Sequence, residues 1–256
     1  MQCFIERKRT NNLDSKIPRN LIQTYKDNKI HRFIQENLEN ILETNDDYNY
    51  YLITDDIGID IIKQHFDQRT LDAFNRLNLG AAKGDFLRYI AIYVYGGIYL
   101  DLDSNINTHL SSFINPTLEH LFFMDRNSNL QQWCFAASPN NPIILRIIEE
   151  MINRINNNEQ NIFLATGPTL FTDVVYNLIE KSQYYNTTRI LSPEERSRTF
   201  STNYNNGIVL YEDDPNLQFT NKFQFRIDGY NFNMLYNNDR YIPTWNEATP
   251  NFYKEN

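Results

Sequence analysis

The sequence predicts an α/β protein built on an open sheet, with a ligand site at the carboxyl edge of the strands. Two observations predict it. Short runs rich in aromatic and β-branched residues alternate with longer runs whose apolar residues recur every three or four positions. One helix–strand pair, residues 78–105 (NLGAAKGDFLRYIAIYVYGGIYLDLDSN), then ends on two carboxylates, Asp101 and Asp103. The length agrees: 256 residues with 41 % hydrophobic content can build one sizeable core. Residues 1–16 read as a tail and 17–256 as a single domain.

Taken in order, residues 20–24 read as a short buried strand, and 31–44 as a helix with Phe33, Ile34, Leu38, Ile41 and Leu42 on its apolar side. A second strand is expected at 48–53, ended by a turn at Thr54-Asp55-Asp56, where Asp serves ordinary turn hydrogen bonding. Two short helices, 59–66 and 69–77, lead into the 78–105 stretch. There Phe86, Leu87, Ile90, Ala91 and Val94 make one stripe, and Asp85 and Arg88 share a face three residues apart. Gly96-Gly97 supplies the positive φ that closes a helix. Ile98 to Asp103 alternates with period two, placing Tyr99, Asp101 and Asp103 on one strand face. Further strands are expected at 121–124, 133–136 and 208–211. Helices are expected from Asn141-Pro142 to about 157 and from 169 to 181.

Two carboxylates on one strand face repel unless a positive charge lies between them. A hard divalent cation, Mn²⁺ or Mg²⁺, answers that need and keeps positions open for substrate phosphates. The plain alternative is a solvated strand end, and for Asp85 and Arg88 an exposed ion pair of one helix face. The net charge of −8 and the lack of a basic stripe exclude a nucleic-acid surface. No apolar run is long enough to span a membrane, and the N-terminus lacks the apolar centre of a signal peptide. Cys3 and Cys134 are the only cysteines and form no disulfide framework. A cytoplasmic location is the expectation that follows; the oligomeric state is not legible.

The string A-A-K-G-D-F-L-R-Y followed by Y-V-Y-G-G-I-Y-L-D-L-D closely resembles the A-x-x-D-x-x-R-Y…Y-x-x-G-G-x-Y-x-D-x-D pattern of glycosyltransferases with a DXD sugar-binding region. These family 32-like enzymes include yeast mannosyltransferases and bacterial capsular polysaccharide transferases, and the glucosylating clostridial toxins share a related core. The resemblance implies a GT-A fold, an open Rossmann-like mixed sheet, and a retaining, metal-dependent hexosyltransferase. Its donor would be a UDP- or GDP-hexose and its acceptor a glycan or protein hydroxyl.

By the same resemblance, Asp103 contacts the metal directly and Asp101 bridges metal and ribose. Asp85 meets donor-sugar or ribose hydroxyls, Arg88 the sugar and diphosphate, and Tyr99 the nucleotide. Ile17-Pro18-Arg19-Asn20-Leu21-Ile22-Gln23-Thr24-Tyr25 resembles the family's opening I-P-K-x-I-H-Q-x-W, with Ile22 in place of its His. That makes Gln23 and Tyr25 donor-binding candidates, Tyr25 beside the nucleobase; a core tyrosine is the other reading. Thr166-Gly167-Pro168 matches the family's T-G-P near the acceptor side, or is simply a helix start. Thr244 and Trp245 match the closing Ser-Trp pair over the diphosphate, both with a hydrogen to donate. The family's histidine just upstream is Arg240 here. Either Asp239 completes the metal shell, or Arg240 itself faces the phosphates.

Two other readings compete. A non-catalytic sugar-nucleotide-binding module would keep the core and lose turnover, as the replaced histidine allows. A haloacid dehalogenase-type phosphatase would use the apolar strand into D-x-D, with Lys181 or Lys222 and the acidic run at 212–214. It leaves Asp85, Arg88 and the double glycine unexplained.

Overall fold

The computed structural model describes residues 15–30, 32–102, 104, 106, 109–112, 114, 116–124, 129–179, 188–191 and 253–254. Asp103, the strand expected at 208–211, and Asp239, Arg240, Thr244 and Trp245 lie outside them.

Six strands form one mixed sheet: β1 (Asn20–Thr24), β2 (Asn49–Ile53), β3 (Gly97–Leu100), β4 (His120–Met124), β5 (Leu130–Ala137) and β6 (Thr188–Leu191), in the spatial order β2-β1-β3-β5-β4-β6. β1 pairs in parallel with β2 and with β3, β5 runs antiparallel to β3 and β4, and β6 is parallel to β4. The α/β class read from the sequence is therefore the fold observed. Every residue of β1 is buried, as its place between two parallel partners requires.

Helix α1 (Arg32–Thr44) joins β1 to β2. Between β2 and β3 come α2 (Asp55–His65), α3 (Gln68–Arg76) and α4 (Gly80–Tyr95). After β5 follow α5 (Pro142–Asn156), the single turn α6 (Ile162–Ala165) and α7 (Pro168–Ile179). Two cores result, one on each face of the sheet. One packs Ile22, Tyr99 and Phe135 against α2, α4, α5 and α7. The other packs Leu21, Ile98 and Leu100 against Leu38, Ile41 and Leu42 of α1. Tyr99 thus faces away from its neighbours Ile98 and Leu100, the period of two expected of a strand.

Three local expectations change. Thr54-Asp55-Asp56 is a helix start: Thr54 Oγ1 accepts the Ile57 N–H, and both aspartates occupy the first turn of α2, where negative charge suits the helix dipole. β3 stops at Leu100, short of the predicted run to Asp103. There the Asp101 N–H still donates to Trp133 O, but the Ser104 N–H turns back to Asp101 O and closes a tight turn. The α6 turn and β6 carried no periodic signal, being too short for one.

The junction from α4 to β3 depends on its two glycines. Gly96 has φ 61° and Gly97 φ 121°. A Cβ on Gly97 would lie 2.4 Å from Asn20 O, and one on Gly96 2.7 Å from Pro139 N. Asn20 covers the open end of α4, donating Nδ2 to Tyr95 O at 3.0 Å and Gly96 O at 3.2 Å, while Asn49 donates to Asn20 Oδ1. β1, β2, α4 and β3 are thereby locked together immediately before the candidate site.

Candidate functional site

The carboxyl ends of β1 and β3 meet the first half of α4 and the incoming end of β5. That convergence assembles a buried polar network. Asp85 is 0 % exposed and Arg88 5 % exposed. They form an ion pair with Arg88 Nη2 2.9 Å from Asp85 Oδ1. The same Nη2 lies 3.3 Å from Asp101 Oδ1. The helix spacing that put Asp85 and Arg88 on one face is thus realised inside the protein, which excludes the exposed-pair alternative.

Arg88 is held on all sides. Nη1 donates to Gln132 O at 2.9 Å and Nε to Gly84 O at 3.4 Å, and the guanidinium carbon sits 4.7 Å from the Tyr99 ring centre. All three guanidinium nitrogens are thus engaged by protein groups. Burial alone would pull its proton affinity down. The negative charge of Asp101 and Asp85 and the ring of Tyr99 outweigh that and hold it above its ordinary value, so it is a permanent cation.

The Tyr99 hydroxyl donates to Asp101 Oδ1 at 2.7 Å and shares a 2.9 Å hydrogen bond with Thr24 Oγ1. Burial, reinforced by Asp101, pushes the phenol well above its usual range, so it stays a donor. The Asp101 side chain, 12 % exposed, is the carboxylate of this network nearest solvent. Gln23 lies beneath it, donating to Asp101 O at 3.4 Å and accepting from the Tyr50 hydroxyl at 3.1 Å. The structure therefore brings together five predicted residues: Gln23, Asp85, Arg88, Tyr99 and Asp101. Tyr25 follows the end of β1, is 3 % exposed, and adds one more bond to the β1–β2 ladder through its N–H to Ile53 O.

Gln132, which no sequence motif indicated, and Thr166 of the T-G-P motif complete the network. Gln132 donates Nε2 to Asp85 Oδ1 at 2.8 Å and accepts from the Tyr89 hydroxyl at 3.0 Å. Thr166, in the predicted T-G-P turn, donates its hydroxyl to Asp85 Oδ2 at 3.1 Å. The one available signal for Gln132 was its place, next to Gln131, near the start of a strand that is otherwise apolar, LQQWCFAA. Gly167 lets that turn approach, since a Cβ there would fall 2.7 Å from Phe163 Cα.

Asp101, with its hard carboxylate oxygens at the sheet edge, fits the ligand chemistry of Mg²⁺ or Mn²⁺. Among the described residues no group of three His, Cys, Asp or Glu side chains gathers to complete such a site. The other two expected ligands, Asp103 and Asp239, lie outside the described residues. No helix among the described residues is long and apolar enough to cross a membrane.

The family model and the curated relatives point the same way as the motif. Residues 32–123 match the family model described as a glycosyltransferase sugar-binding region containing a DXD motif. A mannosyl phosphorylinositol ceramide synthase of Saccharomyces cerevisiae is 29 % identical over 189 residues, 70 % of this chain and 48 % of that protein. An uncharacterized glycosyltransferase of Acanthamoeba polyphaga mimivirus is 27 % identical over 139 residues, 54 % of this chain and 55 % of that protein. The chain spans about half the length of these curated relatives. Among solved structures, the PaToxG glycosyltransferase superposes with a TM-score of 0.48 at 20 % identity, covering 63 % of this chain and 68 % of that one.

Proposed function

We propose that this chain, whose residues 32–123 match the glycosyltransferase sugar-binding region containing a DXD motif, is a retaining, divalent-metal-dependent hexosyltransferase that uses a nucleotide-diphosphate sugar. The observation that carries the proposal is the buried Asp85–Arg88–Asp101–Tyr99 network, which ends at the sheet edge on the first aspartate of the DXD motif. Mannose is the first sugar to test, because relatives are named as mannosyl phosphorylinositol ceramide synthase and inositol phosphoceramide mannosyltransferase. The acceptor in this reading is a hydroxyl of a glycan, a protein or an inositol-bearing lipid.

In the proposed reaction the acceptor oxygen attacks the anomeric carbon from the face that the diphosphate leaves. The bond from that carbon to the diphosphate oxygen breaks as the new glycosidic bond forms on the same side, and configuration is kept. The acceptor proton passes to an oxygen of the departing diphosphate, so no protein nucleophile is required. Mn²⁺ or Mg²⁺ held by Asp101 and Asp103 would offset the charge that develops on the leaving group.

The protein's share is positioning and fixed charge. Asp101 faces the donor, its orientation set by Tyr99 and Arg88. Asp85 works from behind: both its oxygens accept from protein groups, so it acts by fixing Arg88 and the end of α4. Gln23 supports the backbone of Asp101. Tyr25, Thr244 and Trp245 are assigned to the donor by motif, and Asp239 to the metal.

The test is a screen of GDP- and UDP-sugars for Mn²⁺-dependent release of nucleotide, wild type against Asp103→Ala, followed by NMR of the transferred sugar's anomeric proton. One donor consumed by wild type alone, with configuration retained, is the expected result. Donor binding with no turnover in any acceptor mixture would instead identify a non-catalytic module.

A further inference from the structure

Helix α1 carries polar residues where an interior face should be apolar. Asn37 is 2 % exposed, yet it lies among Leu38, Ile41 and the other side chains that α1 buries against the sheet. Asn37, Ile41 and Asn45 recur every four residues, so they line one stripe that continues just past the helix end. That stripe meets the chain leaving β3. Asn37 Nδ2 donates to Ser104 O at 2.8 Å. Asn45 Oδ1 accepts the Leu110 N–H at 2.7 Å. The turn after α1 adds Asp47 to His109 Nε2 at 3.0 Å and the Tyr48 hydroxyl to Ser111 Oγ at 3.3 Å. Apolar contacts follow the same route, since Ile106 and Leu110 are buried in the core that contains Leu38 and Ile41.

The far end of this segment is held several times over, by Asn45, Asp47 and Tyr48. The near end, beside the DXD motif, has Asn37. Asn37 Oδ1 is also buried, with no hydrogen-bond partner among the described residues. The retained Nδ2 bond to Ser104 O is the feature that gives the asparagine a purpose. Ser104 is itself 1 % exposed and follows Asp103 in the chain. Its N–H closes the turn on Asp101 O.

We propose that Asn37 is a positioning residue for the turn that follows Asp101: from α1 it fixes the backbone at Ser104, whose N–H closes on Asp101 O, and so sets how Asp101 presents its carboxylate to a divalent cation. The inference rests on the metal-dependent reading of the site. Asn37 acts through the backbone of the turn that carries Asp101, not through a contact of its own with donor or metal.

The experiment measures Mn²⁺ binding directly, by electron paramagnetic resonance of the free ion, with Mn²⁺ alone and with Mn²⁺ plus UDP or GDP. The proteins are wild type, Asn37→Leu and Asn37→Asp, with thermal melting recorded for each. Leu removes both the bond and the unpaired oxygen. Asp keeps the shape but turns the donor into an acceptor facing a carbonyl. The expected result is Mn²⁺ affinity weakened by about tenfold or more in both variants. In the leucine variant Ser104 O also loses its donor, so the affinity is read on protein kept well below its own melting transition, and any measurable turnover shifts its Mn²⁺ requirement upward. A merely structural asparagine would instead lower the melting temperature and leave the Mn²⁺ affinity of the folded fraction unchanged. Wild-type affinity in either folded variant overturns the inference while leaving the proposed function standing. Failure of the wild type itself to bind Mn²⁺ overturns both.

Discussion

Arg88 is the residue whose removal the structure judges most sharply. Arg88→Met keeps the length of the stem and deletes the charge that lies between Asp85, fully buried, and Asp101, 12 % exposed at its side chain. Removing one partner of a buried ion pair costs about 3–5 kcal/mol, because the remaining charge keeps its desolvation penalty and loses its compensation. For a domain of this size each kcal/mol moves the midpoint by about 2–4 °C, so the melting temperature should drop by roughly 6–20 °C. Arg88→Lys retains the charge but replaces a planar fork by a point. It cannot serve Gln132 O, Asp85 and Asp101 together, and a loss of about 1–3 kcal/mol is expected.

The pH dependence supplies a second readout. Without Arg88, Asp85 is a buried carboxylate without its cation, and its affinity for a proton in the folded state rises above the unfolded value. Such a group favours folding most when protonated, so the methionine variant's deficit should be largest at neutral pH and shrink as the solution is acidified. Calorimetric or fluorescence melts of the three proteins across that range are the assay. A methionine variant that melts with wild type at neutral pH, or a deficit that grows on acidification, would refute the reasoning.

Other consequences follow from single contacts. Gln132→Leu strips Asp85 and the Tyr89 hydroxyl of a partner each, and a stability loss of about 1–3 kcal/mol is expected by urea titration, with a raised donor KM. Thr166→Val is nearly isosteric and removes one hydroxyl bond to a buried carboxylate; about 1.5–3 kcal/mol should be lost in the same titration, and an unchanged midpoint would contradict the contact. Gly97→Ala places a Cβ against Asn20 O at a positive φ, and should cost at least about 1–3 kcal/mol from the backbone alone, read as a fall in folded yield and melting temperature. His120 is pushed down to about 4 by burial, against the partly opposing charge of Glu119. Its folded affinity for protons lies below the unfolded one, so it withdraws stability as pH falls from about 6.5 to about 4. His120→Gln should flatten that part of the stability profile.

Much of this was legible in the sequence, for reasons that differ by element. α4 and β3 announced themselves because a 3.6 period, a glycine pair and a period of two follow one another without a gap. The strand at Asn20–Thr24 and the Asn141 cap of α5 followed from composition and capping chemistry. Asp85 and Arg88 were visible as a helical pair, but their burial was not, since nothing in a spacing of three says which face turns inward. The early end of β3 was hidden because the sequence alternation runs on past Leu100, where the strand stops. Gln132 and Thr166 depend on strands and turns meeting from distant parts of the chain. Asn37 was hidden for the opposite reason: it interrupts a helix pattern that reads well without it.

The central claim is that Asp101 presents its carboxylate to a nucleotide-sugar, and Asp101→Asn tests it most directly. The amide keeps the volume and can still accept from Tyr99, so the variant should fold. Nucleotide release from the preferred donor should nonetheless fall on the order of a hundredfold or more relative to wild type, the usual scale for deleting one electrostatic element of a reaction site. A folded asparagine variant that turns over donor at the wild-type rate would contradict the account.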